Sequence, residues 1–168
     1  MKRMVVAWAV VVLGFVAMAP GAGAVGGGVC RITARIVFSP KTPGDGAWSI
    51  DRGVIDCVGL LAGGKNRILG PGELQAAGSY TTVPTPGGAC LDQVATGRFD
   101  YRVPTSGGYV VISEPGGYAF AGVGALSTPT LRGTVQIAPP YTGDCVTKPV
   151  TAAAFLAQVT LYRGVEPR

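Results

Sequence analysis

The sequence predicts an all-β protein, with an antiparallel, Greek-key-like β-sandwich as the fold and a small β-barrel as the alternative. Three observations predict this class: short segments with period-two alternation of apolar and polar residues, glycine- and proline-rich clusters between them, and no sustained helical periodicity after the first two dozen residues. Alternation places one side of a strand on the core and the other in water. Glycine and proline reverse the chain. Seven or eight such strands are typical of a sandwich or barrel.

The first strand is predicted over residues 29–38. One set of alternate positions is apolar, and the other carries Arg31 and Arg35. The apolar set consists of Cys30, Ile32, Ala34, Ile36 and Phe38. We therefore expect a strand with one face on the core and a basic face in water.

The other strands follow along the chain. They are predicted over residues 48–61 with a break at Gly53, over 99–103, 109–113, 131–137 and 155–162, and more weakly over 67–69, 72–77 and 80–83. The strand over 99–103 has Arg98, Asp100 and Arg102 on its outer side, so Asp100 is expected to partner the arginines. Turns are predicted at 39–46, 84–88, 104–108 and 115–117. Three alanines favour a helical turn within 151–158, but the β-favouring residues that follow favour a strand.

The first 24 residues are predicted to be a cleaved secretory signal peptide. Lys2 and Arg3 precede an apolar run over residues 4–19, and a small-residue sequence ending at Ala24 suggests cleavage before Val25. An uncleaved membrane anchor is the alternative, since a spanning helix needs about 20 residues, but Pro20 and nearby glycines interrupt the run. We expect residues 25–168 to form a single secreted domain without a transmembrane segment.

The cysteines are predicted to form two disulfides, because exported proteins fold under oxidising conditions. They are Cys30, Cys57, Cys90 and Cys145, and none belongs to a C-x-x-C pair. Four cysteines allow three pairings. We favour Cys57 with Cys90 and Cys30 with Cys145, since these two bridges close without crossing.

The chain contains no histidine, which removes imidazole from every catalytic and metal-binding scheme. We therefore predict no catalytic residue, metal ligand or cofactor. The remaining route to an enzyme is a hydrolase using a pair of carboxylates, and each acid is expected to be a solvated surface or turn residue. The acids are Asp45, Asp51, Asp56, Glu73, Asp92, Asp100, Glu114, Asp144 and Glu166. Residues 59–65 match the frame of a phosphate-binding loop, but Asn66 replaces the magnesium-binding Ser or Thr, so a turn is expected.

Two parts of the chain resemble a group of small exported actinobacterial β-proteins. The resemblance is carried by the pattern from Cys30 to Pro40, by residues 120–122 and 133–135, and by residues 143–151. It implies an all-β exported domain of uncharacterised function. It brings no catalytic residues.

Basic residues provide the candidate binding site. Arg31 and Arg35 project from one predicted strand and Arg98 and Arg102 from another, and together they would form a cationic band if the two strands were neighbours. Without Lys2 and Arg3 the net charge falls from +5 to +3, which argues against nucleic acid. We expect a secreted, non-enzymatic binding or structural module at or outside the cell envelope, whose partner is an anionic envelope polymer or another exported protein. The alternative is the carboxylate hydrolase.

The aromatic residues offer a second possible binding surface, a platform for carbohydrate. They are Trp48, Tyr80, Tyr101, Tyr109, Tyr118 and Tyr141. In a β-domain such residues more often belong to the core, and this is the expectation for them here.

Overall fold

A computed structural model describes residues 27–42, 45–59, 66–83, 92–120, 123–143 and 148–161. The proposed signal peptide, Cys90 and Cys145 lie outside these ranges. The strands are β1 (Gly28–Thr42), β2 (Asp45–Val58), β3 (Pro71–Thr82), β4 (Gln93–Thr105), β5 (Gly108–Phe120), β6 (Val123–Ser127), β7 (Leu131–Thr142) and β8 (Ala152–Leu161). In the described part of the chain, no helix is long and apolar enough to cross a bilayer.

The eight strands form one closed antiparallel barrel in which each strand pairs with the next and β8 pairs with β1. The all-β prediction is confirmed, and the barrel is the correct alternative. The Greek-key-like sandwich is not observed, because the order of the strands around the barrel is the same as their order in the sequence. Period-two alternation arises equally in two stacked sheets and in one sheet closed on itself, so the pattern alone did not separate them.

The predicted alternation along β1 is confirmed. Ile32 and Ile36 are fully buried inside the barrel, whereas Arg31 and Arg35 are exposed outside it. The predicted break at Gly53 is also present, as a register shift between Ile50 and Gly53 in the pairing of β2 with β3. Residues 155–161 are strand, as expected despite the preceding alanines.

Glycine-rich segments account for the main errors in strand prediction. Residues 115–117 lie within β5 rather than in a turn, and β6 was not predicted at all. A β-carbon on Gly116 would lie 2.5 Å from Thr128 Cγ2. This glycine therefore permits close packing of the Thr128 side chain against β5 rather than a reversal.

Aromatic side chains fill much of the barrel interior. Trp48 packs against Phe99 and Tyr118, and Tyr118 also packs against Phe155, with ring centroids 5.4–5.8 Å apart. The indole Nε1 of Trp48 donates to two backbone carbonyls, at 3.2 and 3.3 Å. A β-carbon on Gly97 would lie only 2.7 Å from the indole, so the strand has no side chain there. The expectation of a core role is confirmed for Trp48, Tyr101 and Tyr118, whereas Tyr109 and Tyr141 are exposed.

The disulfide of the described residues joins Cys30 to Cys57. These cysteines are direct partners on β1 and β2, and both are buried inside the barrel. The favoured pairings of Cys30 with Cys145 and Cys57 with Cys90 are therefore wrong. They depended on the order of the cysteines in the sequence, which contains no information on the register between β1 and β2.

Replacement of Tyr118 by Phe is expected to stabilise the barrel. The phenol oxygen of Tyr118 is buried with no hydrogen-bond partner, and burial, together with a smaller effect of Tyr80, raises the pKa of Tyr118. Removing an unpartnered buried hydroxyl should raise the free energy of unfolding at pH 7 by about 1 kcal/mol. Urea unfolding measures this change. A decrease of similar size in the free energy of unfolding would show that the Tyr118 hydroxyl has a hydrogen-bond partner.

The raised pKa of Tyr118 also predicts a pH dependence. The unfolded phenol ionises near pH 10 while the buried phenol stays protonated, so the native state is at full stability below that pH and loses stability as the pH rises above it. Above pH 10, the free energy of unfolding should fall less steeply with pH in Tyr118→Phe than in the wild type, by about 1.4 kcal/mol per pH unit. Measuring the free energy of unfolding of both proteins at several alkaline pH values tests this prediction. The same pH dependence in Tyr118→Phe and in the wild type would contradict it.

Candidate functional site

The four candidate arginines do not form one cationic band. Arg31 and Arg35 lie on β1, which pairs with β2 and β8, whereas Arg98 and Arg102 lie on β4, which pairs with β3 and β5. Two strands separate the pairs on one side of the barrel. The sequence predicted the outward direction of these side chains correctly, but the condition that the two strands are neighbours is not met.

Arg98 and Arg102 are engaged by neighbouring side chains. Arg98 Nε lies 3.5 Å from Asp100 Oδ1 and donates to Ser113 Oγ at 2.8 Å. The guanidinium carbon of Arg102 lies 3.7 Å from the centre of the Tyr109 ring, a cation–π contact. The predicted partnership of Asp100 with Arg98 is confirmed. These contacts leave the arginines of β4 less free to bind a ligand than those of β1.

Arg31 lies at the edge of a surface groove of about 430 Å³ across β1, β8, β7 and β6. Gln158, directly opposite Arg31 on β8, lines the same groove. Thr134 and Gln136 of β7 add a hydroxyl and an amide, and Leu156 and Val123 add apolar surface. The groove thus combines one cation with neutral hydrogen-bonding groups.

Arg35 lies at a second groove, of about 350 Å³, farther along β1. Pro140, Tyr141 and Thr142 of β7 form its other side, and Ala154 of β8 lies between. Tyr141 is exposed, so its ring is accessible to a ligand. Arg35 follows Arg31 by four positions along the extended strand, which corresponds to about 13 Å along β1.

Within the described residues, no acid lines either groove. The exposed acids of the paired sheet lie on β2, β3 and β4, as Asp45, Asp51, Asp56, Glu73 and Asp100. Asp56 is directly opposite Arg31 on β2, but neither Arg31 nor Arg35 forms an ion pair with another described residue, whereas Arg98 does. β6, β7 and β8 carry no acid, and the charged residue within these three strands is Arg132 of β7. This side of the barrel therefore attracts anions.

Glu114 contradicts the expectation that each acid is solvated. It lies inside the barrel on β5 with 6% of its surface exposed, and its Oε1 accepts hydrogen bonds from Tyr101 Oη at 2.8 Å, from Thr130 Oγ1 at 2.7 Å and from Thr128 Oγ1. Burial, reinforced by Glu114, raises the pKa of Tyr101. Asp92 is also buried. Neither acid lines one of the two grooves.

Two of the three partners of Glu114 lie just after the end of β6. Thr128 and Thr130 belong to the connection from β6 to β7, and Tyr101 lies on β4. The hydroxyls therefore tie β4 and the connection from β6 to β7 to one buried carboxylate on β5. The described residues contain no group of three or more Cys, Asp or Glu side chains suited to a metal ion.

The comparisons with known proteins are negative. The chain matches no protein-family model, no curated protein and no solved structure. The site must therefore be interpreted from its own geometry. Sequence reasoning missed Gln158 and Gln136 and assigned Tyr141 to the core, although the alternation of polar residues over 132–136 and 156–160 contained part of the signal.

Proposed function

We propose that this protein is an exported, non-enzymatic binding module that binds an anionic polymer of the cell envelope through the outer face of β1, β8 and β7. The observation that carries the proposal is the pair of exposed arginines on β1, each at a groove whose other strands, β6, β7 and β8, carry no acid. The signal-like N-terminal sequence and the Cys30–Cys57 disulfide are consistent with export.

The chemistry of the grooves suits a polymer that carries phosphate or carboxylate groups on a polar backbone. A guanidinium group binds such anions through paired hydrogen bonds. The amides of Gln136 and Gln158 and the hydroxyl of Thr134 can bind the hydroxyl groups of the polymer backbone. Because β1 is paired on both sides, the two arginines project from a rigid support, which lowers the entropy cost of binding.

The experiment compares two double variants that remove equal charge. Arg31→Ser with Arg35→Ser removes the proposed site, and Arg98→Ser with Arg102→Ser is the matched control on β4. The probe is soluble poly(glycerol phosphate), with neutral dextran as a second control. We expect the β1 variant to weaken binding about tenfold or more, because charge-assisted hydrogen bonds contribute about 1.5–3 kcal/mol each. We expect the β4 variant to bind nearly as the wild type does.

The stability of both variants is measured in parallel. Because Arg31 and Arg35 are exposed, their replacement should change the free energy of unfolding by less than about 0.5 kcal/mol. Binding should also weaken as salt is added, since the attraction is electrostatic. Equal losses of affinity in the two variants, or no binding by the wild type at low salt, would contradict the proposal.

A further inference from the structure

The short strand β6 leaves part of β5 without a second neighbour among the described strands. β5 contains 13 residues, but its pairing with β6 covers Gly117, Tyr118 and Ala119 alone. Residues 109–115 pair with β4 on one side, and no described strand pairs with them on the other. A strand edge of this kind presents backbone groups that can bind another strand.

The direction of these backbone groups follows from the hairpin that joins β4 to β5. Thr105 and Gly108 are direct partners across the two-residue turn at Ser106 and Gly107, and the pair that flanks such a turn is hydrogen-bonded. Hydrogen-bonded and non-bonded pairs then alternate along the ladder. The backbone N–H and C=O groups of Tyr109, Val111 and Ser113 therefore point away from β4, toward the open edge.

Pro115 ends this run of edge-facing groups. Pro115 is the next alternate residue after Ser113, so its backbone nitrogen, which carries no hydrogen, also faces the open edge. Proline is tolerated at a strand edge for this reason. The open edge is thus limited by the turn at one end and by Pro115 at the other. It contains three residues whose two backbone groups have no partner strand in the part of the chain that the structure describes.

The side chains along this edge are uncharged, and two of them are apolar and exposed. Val111 has 57% and Tyr109 46% of its surface exposed. Residues 108–113 contain no charge and include Val110, Val111 and Ile112, which favour strands. An uncharged, β-favouring edge of this kind lacks the usual protection against strand pairing.

We propose that two copies of this chain pair through their β5 edges, as antiparallel strands related by a two-fold axis at Val111. In this register Val111 lies opposite the partner's Val111 and Tyr109 lies opposite the partner's Ser113. Each of the three edge residues then forms both of its free backbone hydrogen bonds, which makes the edge complementary to itself. The pairing also brings the exposed valines together and creates no like-charge contact within the segment. This interface is independent of the proposed polymer-binding face.

The test is sedimentation equilibrium of the secreted protein over a range of concentrations. We expect the wild type to form a dimer. Val111→Pro, which removes an edge-facing N–H, and Val111→Lys, which places a charge at the two-fold axis, should each be monomeric. Val54→Lys is the matched control, because Val54 is similarly exposed, at 47%, on a strand paired on both sides, and this variant should remain dimeric.

Backbone hydrogen exchange locates the contact. In the wild-type dimer, the amides of Tyr109, Val111 and Ser113 should exchange slowly, and in Val111→Lys they should exchange quickly while the amides of β2 stay protected. A monomeric wild type, a dimer that persists in both Val111 variants, or fast exchange of the three amides in a dimer would overturn the proposal. If Val111→Pro does not fold, Val111→Lys and the exchange data decide. Loss of polymer binding in the Arg31 and Arg35 variant leaves this prediction unaffected.

Discussion

Replacement of Glu114 by Ala is expected to lower the free energy of unfolding by roughly 3–5 kcal/mol, one of the largest single-residue effects in the barrel. Glu114 is 6% exposed and accepts hydrogen bonds from Tyr101, Thr128 and Thr130 through one oxygen. Without the carboxylate, these hydroxyls lose their common acceptor inside the barrel. The connection from β6 to β7 also loses its attachment to β5. Chemical denaturation measures the change.

Glu73→Ala is the matched control for this prediction. Glu73 lies exposed on the outer face of β3, so its replacement should change the free energy of unfolding by less than about 0.5 kcal/mol. Glu114→Gln keeps the shape and one carbonyl acceptor, and should lose less stability than Glu114→Ala. A loss below about 1 kcal/mol for Glu114→Ala would show that the hydroxyls find other partners.

Removal of the disulfide by Cys30→Ala with Cys57→Ala is expected to cost about 2–4 kcal/mol. The bond links β1 to β2 across a sequence separation of 27 residues, and restricts the unfolded chain accordingly. It lies inside the barrel among the core residues, so the alanines also remove packed sulfur. Denaturation of the double variant under non-reducing conditions measures the cost.

Peptide mapping of the unreduced wild type provides the control on connectivity. A fragment containing Cys30 should remain linked to one containing Cys57. Linkage of Cys30 to Cys145 would contradict the observed pairing and restore the one that the sequence favoured. A loss of stability below about 1 kcal/mol in the double variant would show that the strand pairing holds β1 and β2 together without the bond.

The sequence predicted those parts of the fold that depend on local alternation. The strand around Ile32 and Ile36 and the charged outer face of β4 were recognisable because apolar and polar residues alternate there without interruption. β6 was not predicted, because its sequence, Val123–Ser127, contains small residues on both faces and therefore shows no clear alternation of apolar and polar residues. Gly116 and Gly117 were misread because glycine occurs both in turns and at close contacts within a sheet. The contact that explains the glycine is with the Thr128 side chain at Gly116 and with the Ala95 backbone at Gly117.

Contacts between residues that are far apart in the sequence could not be predicted from local patterns. The pairing of Cys30 with Cys57 depends on the register of β1 with β2, and the separation of Arg31 from Arg98 depends on the order of strands around the barrel. The burial of Glu114 depends on the short length of β6, which brings Thr128 and Thr130 to it. Arg31 and Arg35 were predictable as exposed residues, but the grooves that surround them are formed by β7 and β8.

An NMR titration of the uniformly labelled protein with poly(glycerol phosphate) at low salt tests the proposed binding face most directly. We expect amide shifts to change at Arg31, Arg35, Gln158 and Gln136, with the amides around Arg98 and Arg102 nearly unaffected. Shift changes concentrated on β4, or the absence of changes across β1, β8 and β7 at saturating polymer, would contradict the account.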